Sequence, residues 1–193
     1  MFGIDAFGEK DFDFPVYKSF LDVTDKPDVI IDFSNPAVLD DMLEFAVKNS
    51  VPCVICTTGY SKEQVQKIKN ASNKVAVFYS GNMSLGINVL IELAKSAAKV
   101  LGGQFDIEII EKHHNQKLDA PSGTALMIAD GISSELSEEP QYVFDRHTYR
   151  KKREKNEIGI SSIRGGTIVG EHEVIFAGHD EVVTISHQAQ SKE

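Results

Sequence analysis

Along residues 1–80 the apolar positions alternate between short unbroken runs and helical stripes. "DVIIDF" (28–33), "VPCVIC" (51–56) and "KVAVFYS" (74–80) are compact apolar runs of strand length. Between them, "NPAVLDDMLEFAVKNS" (35–50) puts Val38, Met42, Leu43, Phe45, Ala46 and Val47 largely on one helical side. "SKEQVQKIKNAS" (61–72) is amphipathic, with Ser61 as its N-cap. Strand-length runs separated by helices predict a parallel sheet covered on both faces.

Beyond residues 82–84 the pattern changes. "SLGINVLIELAKSAAKVLGG" (84–103) predicts a long helix stopped by Gly102-Gly103. "FDIEIIE" (105–111) alternates as a strand, and "GTALMIADGISSEL" (123–136) is a further helix. "EIGISSIRGG", "TIVGEHEVIFAG" and "DEVVTISHQA" read as three β-rich runs divided by glycine-containing turns, which predicts an open, partly antiparallel sheet. A parallel βα half therefore precedes an α+β half.

Each early strand run ends in small or hydroxyl residues: Ser34-Asn35, Thr57-Thr58-Gly59 and Ser80-Gly81-Asn82. Ligands of open parallel sheets bind outside the carboxyl ends of the strands, so three such ends together predict a binding edge. Each by itself is ordinary turn chemistry.

Composition narrows the function classes. The 193 residues are 41% hydrophobic, enough for a substantial core, and the formal net charge of −9 argues against nucleic acid or an anionic membrane as the main partner. No stretch reaches the roughly eighteen apolar residues of a membrane span, and "MFGIDAFGEKDF" lacks a basic start followed by an apolar block, so cytoplasmic residence is expected. Cys53 and Cys56 mimic a C-x-x-C half-site. On a strand, positions i and i+3 face opposite sides, and neither a disulfide nor a shared metal is expected. The basic run "RHTYRKKREKNE" (146–157) is read as a solvated strand or loop. Arg164, beside two glycines, is read as meeting a ligand or a neighbouring subunit.

The densest chemistry lies in "EKHHNQKLDAPSGTA" (111–125). A helix that starts at Ser122-Gly123-Thr124 offers unpaired N–H groups and two hydroxyls to an anion, and Lys117 adds a full positive charge upstream. His113 or His114 can exchange a proton beside that anion. The competing reading is a polar loop followed by an ordinary cap. Glu111, His113 and His114 match no common zinc spacing, and no metal is expected.

"EIIEKHHNQKLDAPSGTA" strongly resembles the signature of the 4-hydroxy-tetrahydrodipicolinate reductase family. "VIIDFSNP", "CTTGY", "YSGNMSLGINVL" and "IGISSIRGGTIVGEHEVIFAG" resemble further blocks of that family in the expected order. The resemblance implies an α/β chain with a Rossmann-like nucleotide-binding domain over 1–83. A substrate-binding and oligomerisation domain with a mixed sheet follows over 84–187, and then the start of a return segment over 188–193. It implies NADH or NADPH as cofactor, a dicarboxylate substrate and a homotetramer.

By position, the resemblance makes His113 the acid/base and Lys117 a catalytic and carboxylate-holding residue. His114, Ser122, Gly123 and Thr124 would complete the substrate site. Phe33, Ser34, Cys56, Thr57, Thr58, Gly81 and Met83 would line the nicotinamide and ribose side, and Asp5 would meet the adenosine ribose. Cys56 and Met83 stand where the family more commonly has a glycine and an aromatic residue.

The family opens with a strand and a Gly-x-x-Gly-x-x-Gly phosphate loop, and no such motif occurs among the 14 glycines here. The chain is therefore expected to be a fragment, or the product of a truncated gene, that lacks the first strand, the loop and the closing helix. The alternative to an active reductase is a folded, catalytically silent fragment that keeps the carboxylate clamp and the assembly surface.

Overall fold

The structure, a computed structural model, describes residues 1–6, 12–148 and 150–191. Tyr149 of the basic run, and Lys192 and Glu193 of the expected return segment, lie outside the described residues. The chain divides into two units, Met1–Gly81 and Asn82–Glu193.

In the first unit, β3 (Ile30–Asp32), β4 (Cys53–Ile55) and β5 (Val77–Tyr79) form a parallel sheet in that order. Two crossover helices join them, α1 (Leu39–Asn49) and α2 (Lys62–Ser72). Ser61 caps α2 as expected: its hydroxyl accepts from the Gln64 N–H while the Gln64 side chain accepts from the Ser61 N–H. Helix α1 begins later than the sequence predicts, because Pro36–Val38 form a 3-10 turn held by the Asn35 side chain.

Leu39, Met42, Leu43 and Ala46 of α1 and Ile68 and Ala71 of α2 all bury against one cluster with Cys53 and Ile55. Among the described residues the predicted cover on both faces is not found, for Ile31 and Phe78, on the opposite side of the sheet, are 62% and 56% exposed. The strands are added in one direction, and right-handed crossovers then place both helices on the same side.

The opening "MFGID" run does not join this sheet. Its strand β1 (Gly3–Ile4) pairs in parallel with β2 (Val16–Tyr17), a strand too short to show a period in the sequence.

The second unit begins with α3 (Leu85–Leu101), capped by Ser84 and ended at Gly102 as the sequence predicts. Then come β6 (Asp106–His113), α4 (Gly123–Ser133), β7 (Gln141–Val143), β8 (Glu157–Arg164), β9 (Gly170–Ala177) and β10 (Val182–Ala189). The five strands lie in the order β10-β9-β6-β8-β7; β8 runs parallel to β6 and β7, while β9 runs antiparallel to β6 and β10. Helices α3 and α4 bury Leu90, Ala94, Ile128 and Ile132 against Ile109, Ile160, Val174 and Phe176 of the sheet. Truncating the fully buried Phe176 to alanine would cost about 3–5 kcal/mol.

The basic run is more than a solvated loop. Arg146 reaches Glu157 at 2.6 Å and Glu108 at 2.8 Å, and Arg153 reaches Glu108 at 3.0 Å and Asp106 at 2.9 Å. The buried Glu157 carboxylate and the acids of β6 hold these cations against the sheet. Among the described residues, no helix is long and apolar enough to cross a membrane.

Candidate active site

One face of β6 carries Ile107, Ile109, Glu111 and His113, all buried. Strand register extends each position into a row across the sheet. Ile109 pairs with Val174 and Ile160, and Val174 pairs with Ile185, so this row is apolar. Two residues further on, Glu111 pairs with His172 and Ser162, and His172 pairs with His187. The same face therefore turns from core to polar within one strand period.

Glu111 is the hub of this second row. Arg164 donates to both of its oxygens at 2.8 Å, the Ser122 N–H donates to Oε1 at 3.1 Å, and His113 Nδ1 lies 2.6 Å from Oε2. Burial pushes the Glu111 carboxyl upward, but bonds from Arg164, Ser162 and His113 outweigh it and hold the group down at about 2. It is an anion in a dry place, paired on every side.

His113 lies edge to face with His172, ring centres 5.2 Å apart. A Cβ at Gly170 would stand 3.2 Å from His113 Nε2, so the glycine leaves room for that edge of the ring. His172 is buried, with Nε2 3.1 Å from Ser122 Oγ. Burial first, and then the nearby His113, lower its pKa to about 4, so the ring is neutral at physiological pH.

Beyond β6 the chain turns through Lys117, whose ammonium lies 2.8 Å from Asp119, to Ser122. Ser122 is the N-cap of α4, its hydroxyl accepting from the Ala125 N–H. Thr124 Oγ1 accepts from the Asn82 side chain at 2.9 Å. Both hydroxyls of the expected clamp thus have partners within the chain. Burial raises the Asp119 carboxyl, but Lys117 and the Gly123 N–H draw it below the usual carboxylate range. Asp119 thus stands as an internal carboxylate at the two groups expected to hold an anion.

His113, Lys117, Ser122, Gly123 and Thr124 therefore fall in one loop-and-helix segment at the end of β6, and His114 contributes its carbonyl to the Lys117 N–H at 3.2 Å. Arg164 departs from the sequence reading: its guanidinium turns inward to Glu111 and the Asp119 carbonyl rather than outward to a ligand or subunit. Sequence reasoning missed the hub role of Glu111 and missed His172 altogether. The period of two in "EHEVIFAG" was the available signal, since it sets His172 on the face of Val174 and Phe176.

In the first unit, Phe33 and Ser34 follow β3, Cys56, Thr57 and Thr58 follow β4, and Gly81 follows β5, all at the carboxyl edge of one sheet. Ser34 is held by Asp32, whose other oxygen accepts from Tyr60 at 3.1 Å. Asp5 lies at the end of β1 in the other sheet, and Met83 belongs to the second unit. Cys53 and Cys56 are both free. Burial and then Asp32 push both thiols upward, Cys53 to about 11, which makes them poor nucleophiles. No group of three or more His, Cys, Asp or Glu is placed to hold a metal ion among the described residues.

A parallel α/β unit with a hydroxyl-rich strand edge, and a mixed-sheet unit with a buried histidine–carboxylate centre, define a two-unit α/β enzyme. Residues 3–83 match the family model described as dihydrodipicolinate reductase, N-terminus, and residues 86–193 match its C-terminus. The chain is 58% identical over 181 residues to the 4-hydroxy-tetrahydrodipicolinate reductase of Caldanaerobacter subterraneus, covering 94% of this chain and 72% of that protein. It is 49% identical to the Clostridium novyi reductase, covering 99% and 75%. A dipicolinate-bound dihydrodipicolinate reductase from Paenisporosarcina sp. TG-14 superposes with a TM-score of 0.65 at 30% identity, over 94% of this chain and 70% of that one. The chain belongs to the dihydrodipicolinate reductase family; its activity is that of a 4-hydroxy-tetrahydrodipicolinate reductase, an oxidoreductase of lysine and diaminopimelate biosynthesis.

Proposed function

We propose that the chain reduces its dicarboxylate substrate with NADH or NADPH, with His113 as the proton donor and Lys117 and the start of α4 as the carboxylate clamp. The observation that carries this reading is the convergence on Glu111, which bonds both the His113 ring and the Ser122 N–H at the start of α4. Proton donor and anion site are thereby tied to one buried group. Lys117 holds one substrate carboxylate and withdraws electron density from the ring. The Gly123 and Thr124 N–H groups and the Thr124 hydroxyl face the same anion, reinforced by the helix dipole. His114 lines the same loop. The dipicolinate bound to the Paenisporosarcina relative is a carboxylate pair of the kind this clamp suits.

When bound, the nicotinamide supplies the hydride. The residues proposed to hold it, Phe33, Ser34, Cys56, Thr57, Thr58, Gly81 and Met83, carry no charge. The exposed Phe33 ring offers a flat apolar surface, and Asp32 beneath Ser34 disfavours a phosphate there. That donor set fits a neutral carboxamide ring and ribose hydroxyls. Asp5 is assigned to the adenosine ribose. Exposed Ile163 and Val182, on the sheet face turned away from α3 and α4, support a homotetramer through this surface.

Titration of the chain with NADH, followed by fluorescence, tests the cofactor half. Binding in the micromolar range of about 1–1,000 µM supports an active reductase, whereas no binding at millimolar cofactor favours the silent fragment. Sedimentation at several concentrations reads the assembly, and a monomer throughout removes the tetramer.

A further inference from the structure

The reading above gives His113 a proton to donate, yet says nothing of which ring nitrogen carries it or what holds the ring in place. A neutral imidazole has two tautomers and a side chain free to turn, and only one arrangement presents a proton to the substrate at a given point. The surroundings of His113 are unequal on its two sides. Nδ1 lies 2.6 Å from a carboxylate oxygen, while Nε2 lies beside Gly170, which carries no side chain to crowd it. The carboxylate itself cannot turn away, because the two Arg164 bonds and the Ser122 N–H fix both of its oxygens.

From this geometry we infer that Glu111 is the positioning residue of the site, holding His113 with Nδ1 protonated and Nε2 as the nitrogen that gives up its proton to substrate, while Arg164 locks Glu111 in place. The inference rests on the reading of His113 as proton donor. No bond is made or broken by Glu111; it accepts the Nδ1–H bond throughout. As Nε2 releases its proton, the ring passes from the cation to the neutral Nδ1–H tautomer, which Glu111 favours over the alternative.

Arg164 gives the arrangement its second property. A buried carboxylate without a cation would take up a proton or draw one from His113. With the guanidinium bonded to both oxygens, Glu111 stays an anion and remains an acceptor for the Nδ1–H. The charged and titratable groups around the imidazole are Glu111 on its own strand, Arg164 on β8, His172 on β9 with His187 behind it on β10, and Lys117 in the following loop. His172 is neutral, and the Arg164 charge is spent on Glu111. Through the same carboxylate, the Ser122 N–H ties ring orientation to the helix start that holds the substrate.

The test compares Glu111→Gln with His113→Gln in the whole chain, reading turnover by steady-state rates and dipicolinate binding by calorimetry. Glutamine keeps the size and can still accept one bond, but it carries no charge. Turnover of Glu111→Gln should fall at least about tenfold, a part of the hundredfold or more that an acid–base group contributes, with dipicolinate affinity held within about threefold. Unchanged turnover in Glu111→Gln, beside an inactive His113→Gln, overturns the positioning role alone. Full turnover in His113→Gln overturns both readings.

A measurement on the unaltered chain covers the case in which Glu111→Gln does not fold. Ring nitrogen-15 shifts, assigned by the signal missing from His113→Gln, should show neutral His113 protonated on Nδ1. A neutral ring protonated on Nε2 overturns the proposal.

Discussion

His172 Nε2 lies 3.1 Å from Ser122 Oγ, joining β9 to the first turn of α4 across fifty positions of sequence. Burial and the neighbouring His113 keep this histidine neutral, its pKa lowered to about 4. The unfolded chain takes up a proton on His172 near pH 6.5 and the folded chain does not. Stability from this residue is therefore complete above about pH 6.5 and lost as pH falls from there through 4, by roughly 3 kcal/mol in all. Urea unfolding between pH 7.5 and 5 should show that decline, and His172→Gln should flatten it. Equal pH slopes in the two proteins would remove His172 as its source.

His113→Gln should lower turnover by at least about a hundredfold, the usual contribution of an acid–base group. Dipicolinate affinity should change far less, because the substitution leaves the proposed clamp untouched. Steady-state rates and calorimetry on the same preparation separate the two effects.

Lys117→Ala should weaken dipicolinate and slow turnover together, since the proposed mechanism has the same ammonium hold and polarise the substrate. Asp119→Asn should act in the opposite direction on binding. In the structure Asp119 lies 2.8 Å from Lys117, a rival carboxylate that an incoming one must displace. Its neutralisation should tighten dipicolinate by a few-fold, on the order of 1 kcal/mol, typical of an exposed ion pair. Weaker binding in Asp119→Asn would mean that Asp119 supports the clamp instead of competing for it.

Gly159 pairs with Glu108 on β6, and a Cβ there would collide with the Glu108 carboxylate, the anchor of Arg146 and Arg153. Gly159→Ala should therefore destabilise the fold by about 1–3 kcal/mol, the usual cost of overpacking. Thermal melting reads this directly, and an unshifted midpoint would show that Glu108 has another resting place.

Gly170→Ala should act on the reaction more than on stability. The new methyl would stand 3.2 Å from His113 Nε2, close enough to move the ring by a few tenths of an ångström. Turnover should drop while the melting temperature holds, and a rate equal to that of the unaltered chain would place the working edge of His113 elsewhere.

Period and punctuation along the chain determined much of this protein. Apolar runs marked β3, β4 and β5, Ser61 marked the start of α2, Gly102 marked the end of α3, and the run from 111 to 125 marked the end of β6 and the start of α4. Those features are local: a strand's alternation, a cap and a helix stop depend on neighbours within about four positions. The strand pair β1–β2, the one-sided cover of the first sheet and the true partners of Arg146, Arg153 and Arg164 were not legible, for each depends on which strands become neighbours. Only tertiary structure set β8 and β9 on either side of β6, and with them Arg164 and His172 beside Glu111. A carboxylate in "IIEKHH" reads as one more charge in a polar segment. Burial and four bonded groups make it the centre of the site, because pairing a buried charge requires donors that arrive from other strands.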